Sequence, residues 1–526
     1  MRADVVVVGG GPVGLLVAAE LGARGVDTVV FEALTSVSRR PKATTLHARA
    51  AQCLVRGGHL PWRAASGDGP EQTRPFHFAG VPGLTLTAPA AEPAPLLKCR
   101  QADLERDFEA RARARGVRVR RGHRVVAMAD DPDAVRLTVR GPAGPEVWRA
   151  AYVVAADGAR STVRELAGIA SDSWPATVAA WSAVVEPPAD NGPPALEHGW
   201  HRTPRGWIVV SGLPDGGAHV RTLDTAGPHG TRDRPPTADD FRAEVARIAG
   251  REVTLGRLGD VTRFSDFSRL ARDYRRGRVL LAGDAAHVHF PIGGQGLSTG
   301  VLDALSLGWR LAHVVRGAAG PGLLDAYGPE RRPVARRVIA DTRAQLDLMR
   351  PESGAEPGSR RPPAGPPAPD MASGCPAARV SGQDITAPPL ADRPSPWEGH
   401  FLTNVPLLPV ADSSAGDGGR SERATDVISL LRAGRPLLLL GGADAGRHHA
   451  RAAPWAGLLR VVRTASAPAA APSGEPLTAV LVRPDGYIAW TPGAGGLAAA
   501  LTAYFGPPDP TGAGAVDPSE LVEEGR

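Results

Sequence analysis

The sequence of 526 residues predicts an α/β fold in three parts. A doubly wound, Rossmann-type domain for a dinucleotide comes first, a mixed β-sheet is inserted within it, and a separate α/β module closes the chain. Three observations carry this prediction. Residues 5–8, 15–24 and 28–31 read strand, helix, strand, the βαβ grammar of a parallel sheet. From 177 to 267 the pattern turns to β-rich pieces separated by Pro/Gly turns, and at 278–282 a buried strand returns, followed by helical periodicity over 300–315. Beyond a stretch near 351–369 of little but Pro, Gly, Ser, Arg and acids, strand-like runs at 436–440, 458–462 and 477–482 alternate with helical ones. The expected boundaries are 1–175 with 271–350 for the dinucleotide domain, 176–270 for the inserted sheet, 351–390 for a Pro-rich linker and 391–526 for the C-terminal module.

Composition narrows the partners. The formal net charge is +6, and all basic residues except Lys42 and Lys98 are arginine, with acids interspersed among them. Together with 63 glycines and 51 prolines this reads as a compositional bias rather than a basic face, so a nucleic-acid partner is not expected. Cys53, Cys99 and Cys375 form no CxxC pair, so neither a disulfide framework nor a metal site is expected. No apolar run approaches the ~18 residues that span a bilayer, and glycines and Glu20 interrupt the apolar N-terminal stretch. A cytoplasmic protein with no membrane partner is the expectation.

Gly9, Gly11 and Gly14 stand in G-x-G-x-x-G order directly after the strand at 5–8, with Pro12 and Val13 completing the loop. The first glycine permits the tight turn, the second lets backbone approach a pyrophosphate, and the third lets helix and strand pack closely. The helix N-terminus then offers N–H groups and a positive dipole end to the phosphates. Glu32, followed by Ala33, ends the second strand 18 residues after Gly14, where a carboxylate accepts hydrogen bonds from a ribose diol. The fingerprint does not separate NAD from FAD.

Later segments bear on that choice. Gly283-Asp284 follows the strand at 279–282, and Pro291-Ile292-Gly293-Gly294-Gln295-Gly296-Leu297-Ser298 leads into a helix. An aspartate at a strand end accepts from a ribityl hydroxyl, and glycine-rich backbone allows close approach to a flat ring. Asp157-Gly158 follows a further strand; Asp157 either faces the cofactor or caps the turn before Arg160. His287 and His289 lack a third partner at ligand spacing and read as packed histidines.

With these three signatures in order, the chain resembles the class A flavoprotein monooxygenases of the p-hydroxybenzoate hydroxylase fold. Residues 42–49 (KATTLHAR), 100–105 (RQADLE), 324–333 and 481–490 (LVRPDGYIAW) resemble the branch of aromatic polyketide hydroxylases and rifampicin monooxygenases. The resemblance implies FAD bound non-covalently, transient NADPH or NADH, and dioxygen activated as a flavin C4a-(hydro)peroxide, with no second dinucleotide domain. It places Arg100 and Gln101 along the FAD, Asp284 at its ribityl or pyrophosphate region, and Pro291, Gly293, Gly294, Gly296, Leu297 and Ser298 beside the isoalloxazine. Arg40 and Arg49 are either flavin-loop residues or ordinary surface charges. The C-terminal module resembles a thioredoxin-like domain, and lacking CxxC it is not expected to run dithiol chemistry.

The expected substrate is a polycyclic aromatic small molecule of polyketide type, as in antibiotic biosynthesis or modification. Trp181, Trp200, Trp207 and Phe241 of the inserted sheet offer apolar and aromatic surface, with His201 and Arg205 as polar anchors, although a tryptophan in a strand more often belongs to the core than to a ligand wall. The alternatives are Baeyer–Villiger insertion, oxidative ring rearrangement, or a non-catalytic flavin-binding scaffold. The reading leaves room for a homodimer.

Overall fold

The computed structural model describes residues 1–38, 42–61, 71–76, 84–187, 196–213, 216–227, 234–350, 397–408, 425–465, 469–470, 476–493 and 495–508. The expected linker at 351–390 lies outside them. The elements that build the site, in chain order, are β1 (Arg2–Val8), α1 (Pro12–Gly22), β2 (Thr28–Glu32), β3 (Thr45–His47), α2 (Ala48–Arg56), α3 (Gln101–Ala114), β4 (Arg118–Arg121), β5 (Gly144–Ala155), β6 (Ala179–Val185), β7 (Gly199–Thr203), β8 (Gly206–Gly212), β9 (Ala218–Asp224), α4 (Ala238–Ala249), β10 (Thr262–Ser265), β11 (Val279–Leu281), α5 (Gln295–Val315) and α6 (Tyr327–Leu348).

Val5, Val6 and Val7 are wholly buried, as a continuous apolar run requires when both faces of a parallel sheet are covered. β1 pairs in parallel with β2 and β5, β2 with β4, and β5 with β11, giving the order β11-β5-β1-β2-β4. α1 packs on this sheet between α3 and α5. The 21 residues of α5 are apolar on nearly every side and almost all buried, so the helix runs through the molecule rather than over it.

The inserted sheet has the order β7-β8-β9-β6-β10 and is antiparallel throughout. Its period of two sorts the side chains onto two faces. On one, Trp181, Ala183, Val185, Ile208, Val210 and Val220 bury against Phe241, Val245 and Ile248 of α4. On the other, Ala180, Trp207 and Leu223 pack with Phe290 and Ile292 from the segment before α5 and with Leu346 and Met349 at the end of α6. The second face therefore meets the loop expected to flank the flavin. A reciprocal cap between Thr237 and Asp240 starts α4, and Gly250 at φ +71° ends it.

In the C-terminal part, β12 (Leu437–Leu440), β13 (Arg460–Arg463), β14 (Ala479–Val482) and β15 (Ile488–Trp490) form a sheet in the order β13-β12-β14-β15, backed by α7 (Leu497–Phe505). β12 and β13 are parallel, and the other two pairings antiparallel. This module shares its core with the first domain: Trp309 of α5 packs among Leu438, Leu481, Tyr504 and Phe505.

Candidate cofactor and substrate site

The loop between β1 and α1 cannot carry side chains at its crossings. A Cβ on Gly9, at φ +108°, would lie 2.2 Å from the Ala156 carbonyl oxygen, and one on Gly14 would lie 2.0 Å from that of Gly9. Gly11 faces open space, and no side chain caps α1, so the first-turn N–H groups of the helix remain for a ligand. Pro12 begins the helix without an N–H to satisfy. Val13 packs beneath, close to the backbone of Gly283. Glu32 accepts from the Gly10 N–H through Oε2 (2.6 Å) and from the Leu34 N–H through Oε1 (2.7 Å). Each oxygen keeps a lone pair, so the carboxylate is aimed and still able to accept from a diol, with half-buried Ala33 beside it. An open cradle of N–H groups next to a fixed carboxylate fits the diphosphate and ribose of a dinucleotide.

At the end of β11 the backbone of Gly283 turns with φ +59°, and its N–H donates to Asp303 Oδ2 of α5 (3.0 Å). Asp284 follows with its side chain exposed. Burial of its surroundings raises its pKa, against the opposing pull of His287 and Lys42. Asp303 is itself completely buried, yet takes His287 Nε2 at 2.6 Å on Oδ2 and Arg331 Nε at 2.7 Å on Oδ1. Burial alone would raise its pKa; the His287 and Arg331 charges and hydrogen bonds outweigh that and hold it down, as an anion.

Pro291 is exposed, and Gly293 and Gly294 both have φ +70°, a conformation that β-carbons disfavour. Gly294 caps α5 without any side-chain bond. His47 at the end of β3 pins this loop. Its Nε2–H donates to the Gly293 carbonyl (2.8 Å), and its own N–H donates to Ser298 Oγ (3.0 Å). Burial lowers the His47 pKa. Ser298 therefore serves the loop with its side chain; Leu297 is buried and Gly296 lies against the His289 ring.

Other expected cofactor residues take varied places. Asp157 accepts from Ser161 Oγ and the Val163 N–H (3.0 Å), capping the short helix Thr162–Leu166, and burial raises its pKa. Its backbone nonetheless abuts the dinucleotide loop, since its nitrogen stands 2.8 Å from where a Gly9 Cβ would sit, and Gly158 follows with φ +83°. The Gln101 N–H bonds the Ala43 carbonyl (2.9 Å), tying α3 to the strand that carries His47. Arg100 caps the start of α3 with an exposed side chain. Arg49 is buried rather than a surface charge: its guanidinium lies 3.8 Å over the Phe401 ring of the C-terminal part and also bonds Gln52. Arg40 lies outside the described residues.

The six expected substrate residues divide by sheet face. Trp207 stands on the face toward the 291–298 loop, with its Nε1–H bonded to the Met349 carbonyl (2.7 Å), and Trp200 meets it edge-on at 6.2 Å. Trp181 and Phe241 pack on the α4 side instead, because Trp181 is odd in register where Ala180 and Ser182 face the loop. His201 bonds the Glu197 carbonyl, and Arg205 the Arg247 carbonyl on α4. These four are not brought to the cofactor loops. His47, Asp303 and Arg331 were not among the expected site residues; for Asp303 the signal available was an acid inside a largely apolar helix, where burial demands partners, whereas Arg331 stands in a helix rich in charges and has no such signal.

A glycine loop for a dinucleotide, a second glycine loop against an aromatic sheet face, and an aspartate turn between them define an FAD-dependent enzyme. Residues 2–342 match the family described as FAD binding domain, and 395–508 match the aromatic-ring hydroxylase C-terminal family. The chain belongs to the class A flavin monooxygenases, in the aromatic polyketide hydroxylase branch, with FAD as its cofactor. It is similar to a dialkyldecalin synthase of Streptomyces rugosporus, 37% identical over 96% of this chain and 100% of that one. It is 35% identical to the 12-dehydrotetracycline 5-monooxygenase/anhydrotetracycline 6-monooxygenase of Streptomyces rimosus, over 97% of this chain and all of the relative. The solved structure of CabE, an aromatic hydroxylase from angucycline biosynthesis, superposes with a TM-score of 0.80 at 31% identity, covering 97% of this chain and 100% of that one. Among the described residues no helix is long and apolar enough to cross a membrane.

Proposed function

We propose that this enzyme inserts oxygen into a polycyclic aromatic polyketide, with NADPH or NADH as transient reductant. The observation that carries the reading is the packing of Phe290 and Ile292, which begin the flavin-flanking loop, against Trp207 and Leu223 of the inserted sheet. Cofactor loop and aromatic wall are thereby one structure. The tetracycline and angucycline enzymes named above support the polycyclic class.

When bound, FAD supplies hydride acceptance and oxygen activation. Glu32 and the α1 N-terminus would hold its adenosine half, and the Gly283-Asp284 turn its middle. The residues of this chain orient and enclose: His47 and Ser298 fix the loop, and the sheet face bearing Trp200, Trp207 and Leu223 excludes water from the side opposite. The mixed four-stranded sheet with α7 fits a thioredoxin-like module without dithiol function.

The purified protein is expected to be yellow, to release FAD on denaturation, and to oxidise NADPH or NADH faster when a polycyclic phenol is added. A colourless protein that FAD does not reconstitute refutes the proposal. One relative favours a second reading. Similarity to a dialkyldecalin synthase supports ring closure at the same sheet face. Product mass separates the two, because hydroxylation adds one oxygen and ring closure leaves the mass unchanged.

A further inference from the structure

We infer that Arg221, supported by Ser211, is the anchor for an ionised oxygen on the substrate. The inference deepens the reading above by assigning the chemical character of the molecule that lies along the inserted sheet.

Arg221 lies on β9 between His219 and Leu223, so all three share the face turned to the cofactor loop. Leu223, at one end, is buried against Phe290 and Ile292. Two residues along the strand, about 7 Å away, the same face is only half-buried at Arg221, Val209, Ser211 and Val184. The packed end meets the flavin loop, and the half-open end presents a guanidinium.

That guanidinium has no carboxylate among the described residues. Its Nη2 donates to Ser211 Oγ at 3.2 Å, and its Nε is buried with no acceptor. Four fully buried arginines in this chain are met by acids: Arg56 by Glu92, Arg310 by Glu330, Arg331 by Asp303, and Arg483 by Glu330 and Asp485. On the opposite face of the same sheet, Arg247 has both Asp224 and Glu244. Burial lowers the Arg221 pKa with no acid opposing it, a cost that persists until an anion arrives. The neighbouring His219, bonded to Ser182 Oγ at 2.6 Å, has its pKa pushed down to about 3 by burial first and then by Arg221. It therefore stays neutral and does not compete for the anion. A planar fork of donors on the half-buried part of a sheet face that carries Trp207 at its packed end selects a polycycle with an acidic oxygen at the edge remote from the flavin. Two sources share that chemistry, a carboxylate and the enolate of a vinylogous acid.

The test titrates full-length, FAD-loaded protein by tryptophan fluorescence. The probes are a hydroxynaphthoate with its methyl ester, and a hydroxynaphthoquinone, a vinylogous acid, with its methyl ether. Arg221→Gln is expected to weaken at least one acid by about tenfold or more while its neutral counterpart stays within about twofold. The acid that loses affinity identifies the source. Arg221→Lys keeps the charge without the fork, and is expected to retain part of the preference; it also serves if the glutamine variant does not fold. Equal losses for acid and neutral probe, unchanged acid binding in both variants, or a wild-type protein that prefers neither acid to its neutral partner would each overturn the assignment. Loss of the monooxygenase reading shows up separately, as a wild-type chain that holds no FAD or incorporates no oxygen.

Discussion

Replacing Asp303 by asparagine removes the single negative charge on which the centre of the cofactor groove turns. The side chain is completely buried and accepts three bonds, from Gly283 N–H at 3.0 Å, His287 Nε2 at 2.6 Å and Arg331 Nε at 2.7 Å. Asparagine keeps one acceptor oxygen, so at least one of these donors is left unmet, and Arg331, itself buried, loses its counter-ion. Breaking a buried pair by removing one partner costs about 3–5 kcal/mol. For a domain of this size each kcal/mol lowers Tm by about 2–4 °C, so a fall of about 6–20 °C is expected by calorimetry. Because Asp303 also holds the Gly283 turn beside exposed Asp284, FAD should dissociate at least about tenfold more readily, followed by flavin fluorescence on dilution. Asp303→Glu, with the charge kept but one methylene too many, separates charge from shape and should fall between. A variant Asp303→Asn that melts within about 2 °C of the wild type and retains its flavin equally well would refute the hub.

The remaining expectations use other parts of the structure. Gly14→Ala places a Cβ 2.0 Å from the Gly9 oxygen, so the chain should fold with the same circular dichroism yet lose most of its FAD, read as the flavin-to-protein absorbance ratio. Arg483→Leu leaves Glu330 with one cation of two and Asp485 without its arginine; a loss of about 3–5 kcal/mol in denaturant unfolding is expected, against little loss for exposed Arg106→Leu. Acid should destabilise the fold through His289 and His313, both pushed down to about 4, chiefly by burial. Their folded-state pKa values lie below the ordinary 6.5, so their contribution is complete above that pH and is lost as pH falls toward 4. At pH 5 this amounts to about 2 kcal/mol per histidine, and His313→Gln should flatten the Tm profile between pH 6.5 and 4.

The fold was legible where a signal is local. Val5 to Val8, the three glycines and Glu32 specify strand, turn, helix and carboxylate within one βαβ unit, and the structure assembles them as read. The loop at 291–298 was legible for the same reason, since positive φ at Gly293 and Gly294 has a residue signature. Side-chain direction across the inserted sheet was not. Trp181 and Trp207 look alike in sequence, and only the pairing register shows that one faces α4 and the other the cofactor loop. Arg49 was ambiguous because its partner, Phe401, is 352 residues away. The long-range acids behaved likewise: nothing local says that Asp303 meets Arg331, or Glu330 meets Arg483.

Those long-range contacts converge on α5 and tie the C-terminal module to the domain that carries the glycine loops at 9–14, 283–284 and 291–298. The helix is about 30 Å long at 1.5 Å per residue. Just before its first residue Gly294 caps it at the end of the glycine-rich turn, and one to three turns later Ser298 and Asp303 grip β3 and the Gly283 turn. Farther along, Trp309 donates to Asp485 at 3.1 Å, and Arg310 shares Glu330 with Arg483. A second tie joins α2, whose Arg56 pairs with Glu92 while Glu92 accepts the Asn404 N–H. In the Arg310–Glu330–Arg483–Asp485 cluster each side supplies one arginine and one acid, and Arg483 crosses to Glu330 at 2.9 Å to join the two pairs. Separating them would break the Arg483–Glu330 pair and the Trp309–Asp485 bond, uncover two buried ion pairs, and remove the packing at the far end of the helix that the 291–298 loop leads into. What the structure shows of the module's contribution is mechanical: it holds α5 through Trp309 and Arg310's partner Glu330, and α2 through Arg56, whose Nη2 also donates to the Leu402 carbonyl.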